Sequence, residues 1–192
     1  AVSFSVPTGN FGDIFAGYLA KKMGLPIDRL VIATNANDIL HRCISNNDHS
    51  LETLVQSLSP SMDIMVSSNF ERMLFDLYDQ DGGAINNLML GFKTAGKLVL
   101  SDLALTKARA VFTSYRLDDE TMTQVMTHFW ETTGYLLDPH TAIGVEAARK
   151  TLYRQDIPVV CLSTAHPAKF PESIRKAGFS NDPELPRYMA DL

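Results

Sequence analysis

Thr8-Gly9-Asn10-Phe11-Gly12-Asp13 is the segment whose residue types point most directly to chemistry. It joins a strand-like stretch to a helix-like one, and Gly9 and Gly12 allow positive φ and close backbone approach. The first N–H groups of the helix behind it have no intrahelical acceptor. A concave set of such groups at a helix N-terminus binds phosphate without any Lys or Arg. A tight turn that needs glycine for steric reasons alone explains the same residues. The segment has neither the GK[ST] of a P-loop nor the GxGxxG of a dinucleotide site. A second polar cluster is Ser163-Thr164-Ala165-His166-Pro167. Ser163 or Thr164 can offer a hydroxyl to a ligand, or can satisfy turn hydrogen bonds at a strand end. His140 and His166 are either acid–base groups or structural histidines. The 5 histidines never fall in an HxxxH or HExxH spacing, so no metal site is expected. There is no GxSxG elbow, and Cys161 reads as a buried small apolar residue.

The elements that must position these clusters alternate between strand and helix. Val2–Val6 alternates like a strand. A helix is predicted from about Asp13 to Met23, with Phe15, Tyr18, Leu19 and Met23 on one side and Gly24 at its C′ position. Leu30–Ala33 has the β-branched character of a buried strand, and a short helix is expected near Asp38–Cys43. Met62, Met65, Val66, Asn69, Phe70, Met73, Leu74 and Leu77 fall at helical spacing, which Asp81-Gly82-Gly83 stops. Residues 84–112 hold a helix, a charged interruption and a short strand around Ala110–Thr113. Asp118 can cap a helix whose inner face is Met122, Val125, Met126, Phe129, Trp130 and Thr133, ended by Gly134. Asp138-Pro139 opens another helix, with Asp as N-cap and Pro at N1. It turns Val145, Ala148 and Leu152 inward. Val159–Ser163 is a strand, and the remainder is an irregular tail with room for one short helix. Such alternation implies an α/β fold, a mostly parallel open sheet covered by helices. Ligands sit at the carboxyl ends of such strands. Both polar clusters follow strands, so both are expected on the same sheet edge.

Composition narrows the partners. Hydrophobic residues make up 45% of the 192 and charged residues 20%, which is globular rather than disordered. Lys+Arg is 17 against Asp+Glu 22, a net charge of −5. With no basic block, neither nucleic acid nor an anionic membrane is an expected partner. Two cysteines, Cys43 and Cys161, supply neither a disulfide framework nor a metal clip. No apolar run approaches the roughly 18 residues of a membrane span, and no secretory signal opens the chain. The expected compartment is cytoplasmic. The chain opens on Ala1 and enters a strand at once, which reads as a piece of a longer protein.

Taken together, several strings resemble threonine synthase, in order, from residue 3 to about residue 173. They are Ser5-Val6-Pro7-Thr8-Gly9-Asn10-Phe11-Gly12-Asp13, Ala33-Thr34-Asn35-Ala36-Asn37-Asp38-Ile39-Leu40, Pro60-Ser61-Met62-Asp63-Ile64, Ser67-Ser68-Asn69-Phe70-Glu71-Arg72, Asp138-Pro139-His140-Thr141-Ala142 and Ser163-Thr164-Ala165-His166-Pro167-Ala168-Lys169-Phe170. The resemblance implies part of the large domain of a fold type II pyridoxal 5'-phosphate enzyme. That family converts O-phospho-L-homoserine and water to L-threonine and phosphate. It further implies that Gly9, Asn10, Phe11, Gly12 and Asp13 cradle the cofactor phosphate. Thr164, or less favourably Ser163, would face the pyridine nitrogen. Substrate roles for Asn69, Arg72, His140 and His166 stay open.

One departure is large. The family keeps its Schiff-base lysine well before the glycine loop, and residues 1–8 contain none. Lys21, Lys22 and Lys169 match no such motif. Residues 1–192 are therefore expected to be the C-terminal part of the cofactor-binding domain, with the lysine elsewhere. The chain alone is expected to be inactive and open to self-association. The alternatives are another fold type II enzyme, of the threonine dehydratase or cysteine synthase type, or a non-catalytic relative that keeps an anion-binding loop.

Overall fold

The computed structural model describes residues 1–152 and 156–187. In chain order the elements are β1 (Val2–Pro7), α1 (Gly12–Lys22), β2 (Ile27–Thr34), α2 (Ile39–Asn46), β3 (His49–Ser50), α3 (Phe70–Leu77), α4 (Gly82–Ala95), β4 (Lys97–Leu98), α5 (Asp102–Val111), β5 (Phe112–Arg116), α6 (Asp119–Thr133), α7 (Pro139–Thr151), β6 (Val159–Cys161) and α8 (Pro171–Lys176). Short 3-10 turns occupy Pro60–Met62 and Pro167–Lys169.

The main sheet has the order β5-β2-β1-β6, and every neighbouring pair is parallel. In β1, Ser5 lies between Val31 of β2 and Cys161 of β6. A separate antiparallel pair joins β3 to β4. Alternation along β2 divides the core in two. Leu30 and Ile32 join the cluster built with α1 to α5, while Val31 and Ala33 join the one built with α6 to α8. The sheet is thus covered on both faces, as a parallel sheet requires. On the second face α7 approaches β1 closely, because small groups meet there. The Ser5 hydroxyl donates to the Gly144 carbonyl, and a Cβ on Gly144 would stand 3.3 Å from the Pro7 ring.

Local signals place most helix ends. Asp118 caps α6 by accepting from Thr121 N, and Asp138 caps α7 by accepting from His140 N and Thr141 N, with Pro139 at the first helical position. Gly24 and Gly134 take positive φ at the ends of α1 and α6. Among the described residues no helix is long and apolar enough to cross a membrane.

Several expectations need correction. The helical spacing over 62–77 is helix only from Phe70. Met62 is buried from a 3-10 turn that starts at Pro60, and the following backbone is irregular because its polar groups bond to distant loops. The strand expected at Ala110–Thr113 begins at Phe112, and α5 runs up to it. On α1 the buried residues are Ile14 and Tyr18, whereas Leu19 and Met23 are exposed. On α6, Met122, Val125 and Met126 are buried, but Trp130 and Thr133 face outward. The last strand stops at Cys161, which is half-buried rather than buried.

Candidate functional site

The loop after β1 and the loop after β6 lie on the same edge of the sheet, because the two strands are adjacent and parallel. A cavity of about 240 Å³ opens there, lined by residues 7–14, Ser61, Met62, His140 and Thr164. Gly9, Asn10, Phe11, Gly12, Asp13 and Thr164 therefore come together. Ser163 does not: it opens onto a different cavity with Tyr135, His166 and Glu184. No lysine or arginine lines the first cavity among the described residues.

The left-handed residue of the loop is Phe11, φ 66°, and not either glycine. Phe11 is the N-cap of α1 and makes no side-chain cap, so the first N–H groups of that helix are left for another acceptor. Its ring is buried against Phe70 and Phe112, with centroids 5.4 and 5.8 Å away. Gly9 is needed for close approach: a Cβ there would meet Ile64 Cδ1 at 2.9 Å and the Ser61 carbonyl at 3.0 Å. Gly12 is not crowded, since a Cβ would find only Asn69 Nδ2 at 3.5 Å.

Outward-turned carbonyls of the loop are tied off. The Ser67 hydroxyl donates to the Gly9 carbonyl. Asn69 donates to the Asn10 carbonyl from its backbone N, at 3.1 Å, and from Nδ2, at 3.0 Å. Thr8 N donates to the Ala33 carbonyl at 2.8 Å. The Gly9 and Asn10 carbonyls are thus engaged, and the loop leads directly into the N-terminus of α1. Tyr18, further along α1, donates its hydroxyl to Asp76 of α3, and burial and that carboxylate push the phenol well above its ordinary range. Lys22 reaches the same carboxylate at 3.1 Å. Helix α1 is thereby tied to α3, which follows the Ser67–Asn69 clamp.

The opposite wall is the turn at residues 60–63. It is held by a buried polar knot at the end of β2. Asn35 Nδ2 donates to Asp63 Oδ1 at 2.8 Å and to Ser57 Oγ at 2.8 Å, and Asn37 Nδ2 donates to Asp63 Oδ1 at 2.8 Å. The Ser57 hydroxyl donates to the same carboxylate at 2.6 Å. Leu58 N donates to Asp119 at 3.0 Å, and burial raises that carboxyl above its usual range. His140, 2% exposed, ties α7 to this wall. Its Nδ1 lies 2.9 Å from Asp138 Oδ1, and Ser61 N donates to its Nε2 at 3.2 Å. Nε2 is therefore the acceptor nitrogen, and Nδ1 carries the proton given to Asp138. The sequence reading left His140 open and missed Ser61, Ser67 and the Asn35–Asp63 knot. The run Ser67-Ser68-Asn69 ahead of α3 was the available signal, since short polar residues prefer helix starts. Here Asn69 spends its amide on Asn10 instead of on its own helix.

The family model described as "Threonine synthase, C-terminal" matches residues 141–192. Threonine synthase of Pseudomonas aeruginosa is 55% identical over all of this chain, which covers 41% of that protein. Threonine synthase of Saccharomyces cerevisiae is 42% identical over 94% of the chain, covering 39% of that protein. A PLP-bound threonine synthase from Brucella melitensis superposes with a TM-score of 0.95 and 47% identity, covering 100% of this chain and 41% of that one. The fold is accordingly the open, mostly parallel α/β sheet of fold type II enzymes, and the dehydratase and cysteine synthase alternatives are not favoured. Over its whole length the chain is similar in sequence and in fold to threonine synthases, and it spans about two-fifths of the length of these relatives.

Proposed function

We propose that this chain forms the cofactor-phosphate half of a pyridoxal 5'-phosphate-dependent threonine synthase, which turns O-phospho-L-homoserine and water into L-threonine and phosphate. In this reading it is the C-terminal part of the cofactor-binding domain. The Schiff-base lysine and much of the substrate site belong to the three-fifths of the relatives' length that the chain does not span.

The observation that carries the reading is one cavity shared by the 8–13 loop and Thr164. Its volume of about 240 Å³ falls short of the roughly 300–1,000 Å³ of a complete small-molecule pocket. That suits the phosphate-bearing end of a cofactor and leaves the substrate to be housed by other segments. The donor set also fits. With no Lys or Arg on the cavity among the described residues, a phosphate dianion would be met by the N–H groups of Gly9 to Asp13 and by the positive end of the α1 dipole. Thr164, which lines this cavity, would offer its hydroxyl to the ring nitrogen, and Ser163, on the other cavity, is the weaker choice. When bound, pyridoxal phosphate supplies an electron sink for negative charge developing on an amino-acid carbon. The chain's own part is to hold the phosphate, orient the ring and keep water from one side of it with the 60–63 wall. Alone, the chain is expected to be inactive. It is also expected to self-associate through the β6 edge, where Val159 and Val160 are 38% and 45% exposed.

The test uses the full-length protein. Absorbance of bound pyridoxal phosphate together with threonine and phosphate formed from O-phospho-L-homoserine is the expected result. Bound cofactor without threonine would move the assignment to another fold type II activity. Absence of cofactor binding would favour a non-catalytic relative with an anion loop.

A further inference from the structure

His140 lines the cavity together with the phosphate loop and Thr164. Through Nε2 it accepts the N–H of Ser61, whose carbonyl lies 3.0 Å from where a Gly9 Cβ would stand. This contact sets the wall beside the phosphate loop. Through its ring face it packs on Phe170, with centroids 4.6 Å apart. Phe170 closes the compact turn that begins at Thr164: His166 Nδ1 accepts from Ala168 N at 3.2 Å, and Phe170 N donates to the Pro167 carbonyl at 3.0 Å. Asp138 fixes the ring in turn. It is 1% exposed, accepts from His140 Nδ1 and from the Thr141 hydroxyl, and caps α7 with the same carboxylate. One imidazole thus contacts three segments far apart in sequence, at residues 61, 138 and 170.

We infer that His140 is a positioning residue that sets the spacing between the phosphate cradle and the Thr164 turn, so that one ligand can engage both ends. The inference rests on the cofactor reading given above. The cradle itself does not hang on His140. Its loop is held by Ser67, Asn69 and the Ala33 carbonyl, and its donors belong to that loop and to the first residues of α1. Losing the His140 links therefore leaves a phosphate group its N–H donors but misaligns a ligand long enough to reach Thr164. The residue touches the cavity rim but needs no proton transfer to do this.

The test compares the affinities of full-length protein for inorganic phosphate and for pyridoxal phosphate in His140→Phe and His140→Gln. Phe keeps the packing on Phe170 and loses both hydrogen bonds. Gln places an acceptor oxygen near the position of Nε2. We expect His140→Phe to weaken pyridoxal phosphate about tenfold or more, the scale of about 1.4 kcal/mol. We expect it to change inorganic phosphate less than about threefold and to shift the bound cofactor's absorbance, with His140→Gln restoring most of the affinity. Unchanged pyridoxal phosphate affinity and spectrum in His140→Phe would overturn the inference. So would equal loss of both ligands with a lower melting temperature, because that is loss of the fold. If the wild-type protein bound phosphate but not pyridoxal phosphate, the cofactor reading itself would fall, and this inference with it.

Discussion

The ring of Phe11 meets that of Phe70 edge-on, with centroids 5.4 Å apart and planes at 80°. That contact explains why a bulky residue holds the left-handed conformation at the head of α1. Left-handed backbone costs a non-glycine residue roughly 1–2 kcal/mol. A Phe ring buried to 1% exposure against Phe70 and Phe112 more than offsets it, by roughly 3–5 kcal/mol. In full-length protein Phe11→Ala should lower stability by about that amount. Phe11→Gly should be no worse than Phe11→Ala, because glycine removes the backbone strain. In ordinary helix or strand interiors glycine is the worse of the two by about 0.5–1 kcal/mol. Urea midpoints decide it, and a clear deficit for glycine would show that the left-handed backbone carries no strain.

The two loop glycines should respond in opposite ways. Gly9→Ala drives a methyl into the Ser61 carbonyl and Ile64, and should cost about 1–3 kcal/mol as well as cofactor affinity. Gly12→Ala meets nothing closer than 3.5 Å and should leave stability within about 1 kcal/mol of wild type. Gly12→Asp should likewise fold, yet bind pyridoxal phosphate at least about tenfold more weakly, because a carboxylate then faces the phosphate. Melting temperatures read beside cofactor titration separate crowding from charge, and a misfolded Gly12→Asp would contradict this account.

The knot at the end of β2 should be sensitive out of proportion to its size. Asn35 is fully buried, and its amide bonds Ser57, Ser59 and Asp63 while its carbonyl accepts from Asn37 N. Asn35→Ala strands several of these groups and should destabilise by about 1–3 kcal/mol. The 60–63 wall should loosen with it. Hydrogen exchange at the Met62 and Asp63 amides is the direct measurement, and unchanged protection there would count against a holding role.

His49 predicts a pH dependence. Its ring lies between Phe70 and Phe92, with centroids at 4.9 and 5.1 Å, and its Nδ1 has no partner among the described residues. Burial, aided by Arg42 and opposed by Asp48, pushes it from 6.5 down to about 4. The unfolded chain takes up the proton below 6.5 while the folded one does not until about 4. This contribution is therefore intact above pH 6.5 and is lost as pH falls toward 4, by about 3 kcal/mol in all. His49→Phe should flatten stability over that window, and an unchanged slope would mean that His49 titrates normally.

Signals that act over a few residues were legible in the sequence. Asp118, Asp138-Pro139 and Gly134 mark helix ends, and they do so in the fold because capping is local. The strand alternation placed the 8–13 loop and Thr164 on one sheet edge for the same reason. What failed was set by partners far along the chain. Met62, Met65 and Val66 mimic a helix face, but Pro60 starts a 3-10 turn, and Ser61 answers to His140, 79 residues later. The positive φ expected of the loop glycines sits on Phe11 because two distant rings hold it there. The residues alone did not separate Thr164 from Ser163, the preference for Thr164 came from the resemblance, and in the fold the two line different cavities.

The strand order has a consequence for synthesis. β1 is an interior strand, and one of its neighbours, β6, pairs Cys161 with Ser5. The ribosome makes the strand that carries the phosphate loop long before its second flank. At roughly 5–20 residues per second, the intervening chain takes on the order of 8–30 s to emerge. Until then β1 has an open side, and the Thr164 turn, which follows β6, has not yet been made. Chains arrested before Val159 should therefore be cut by protease near β1, while chains released after α8 should resist it.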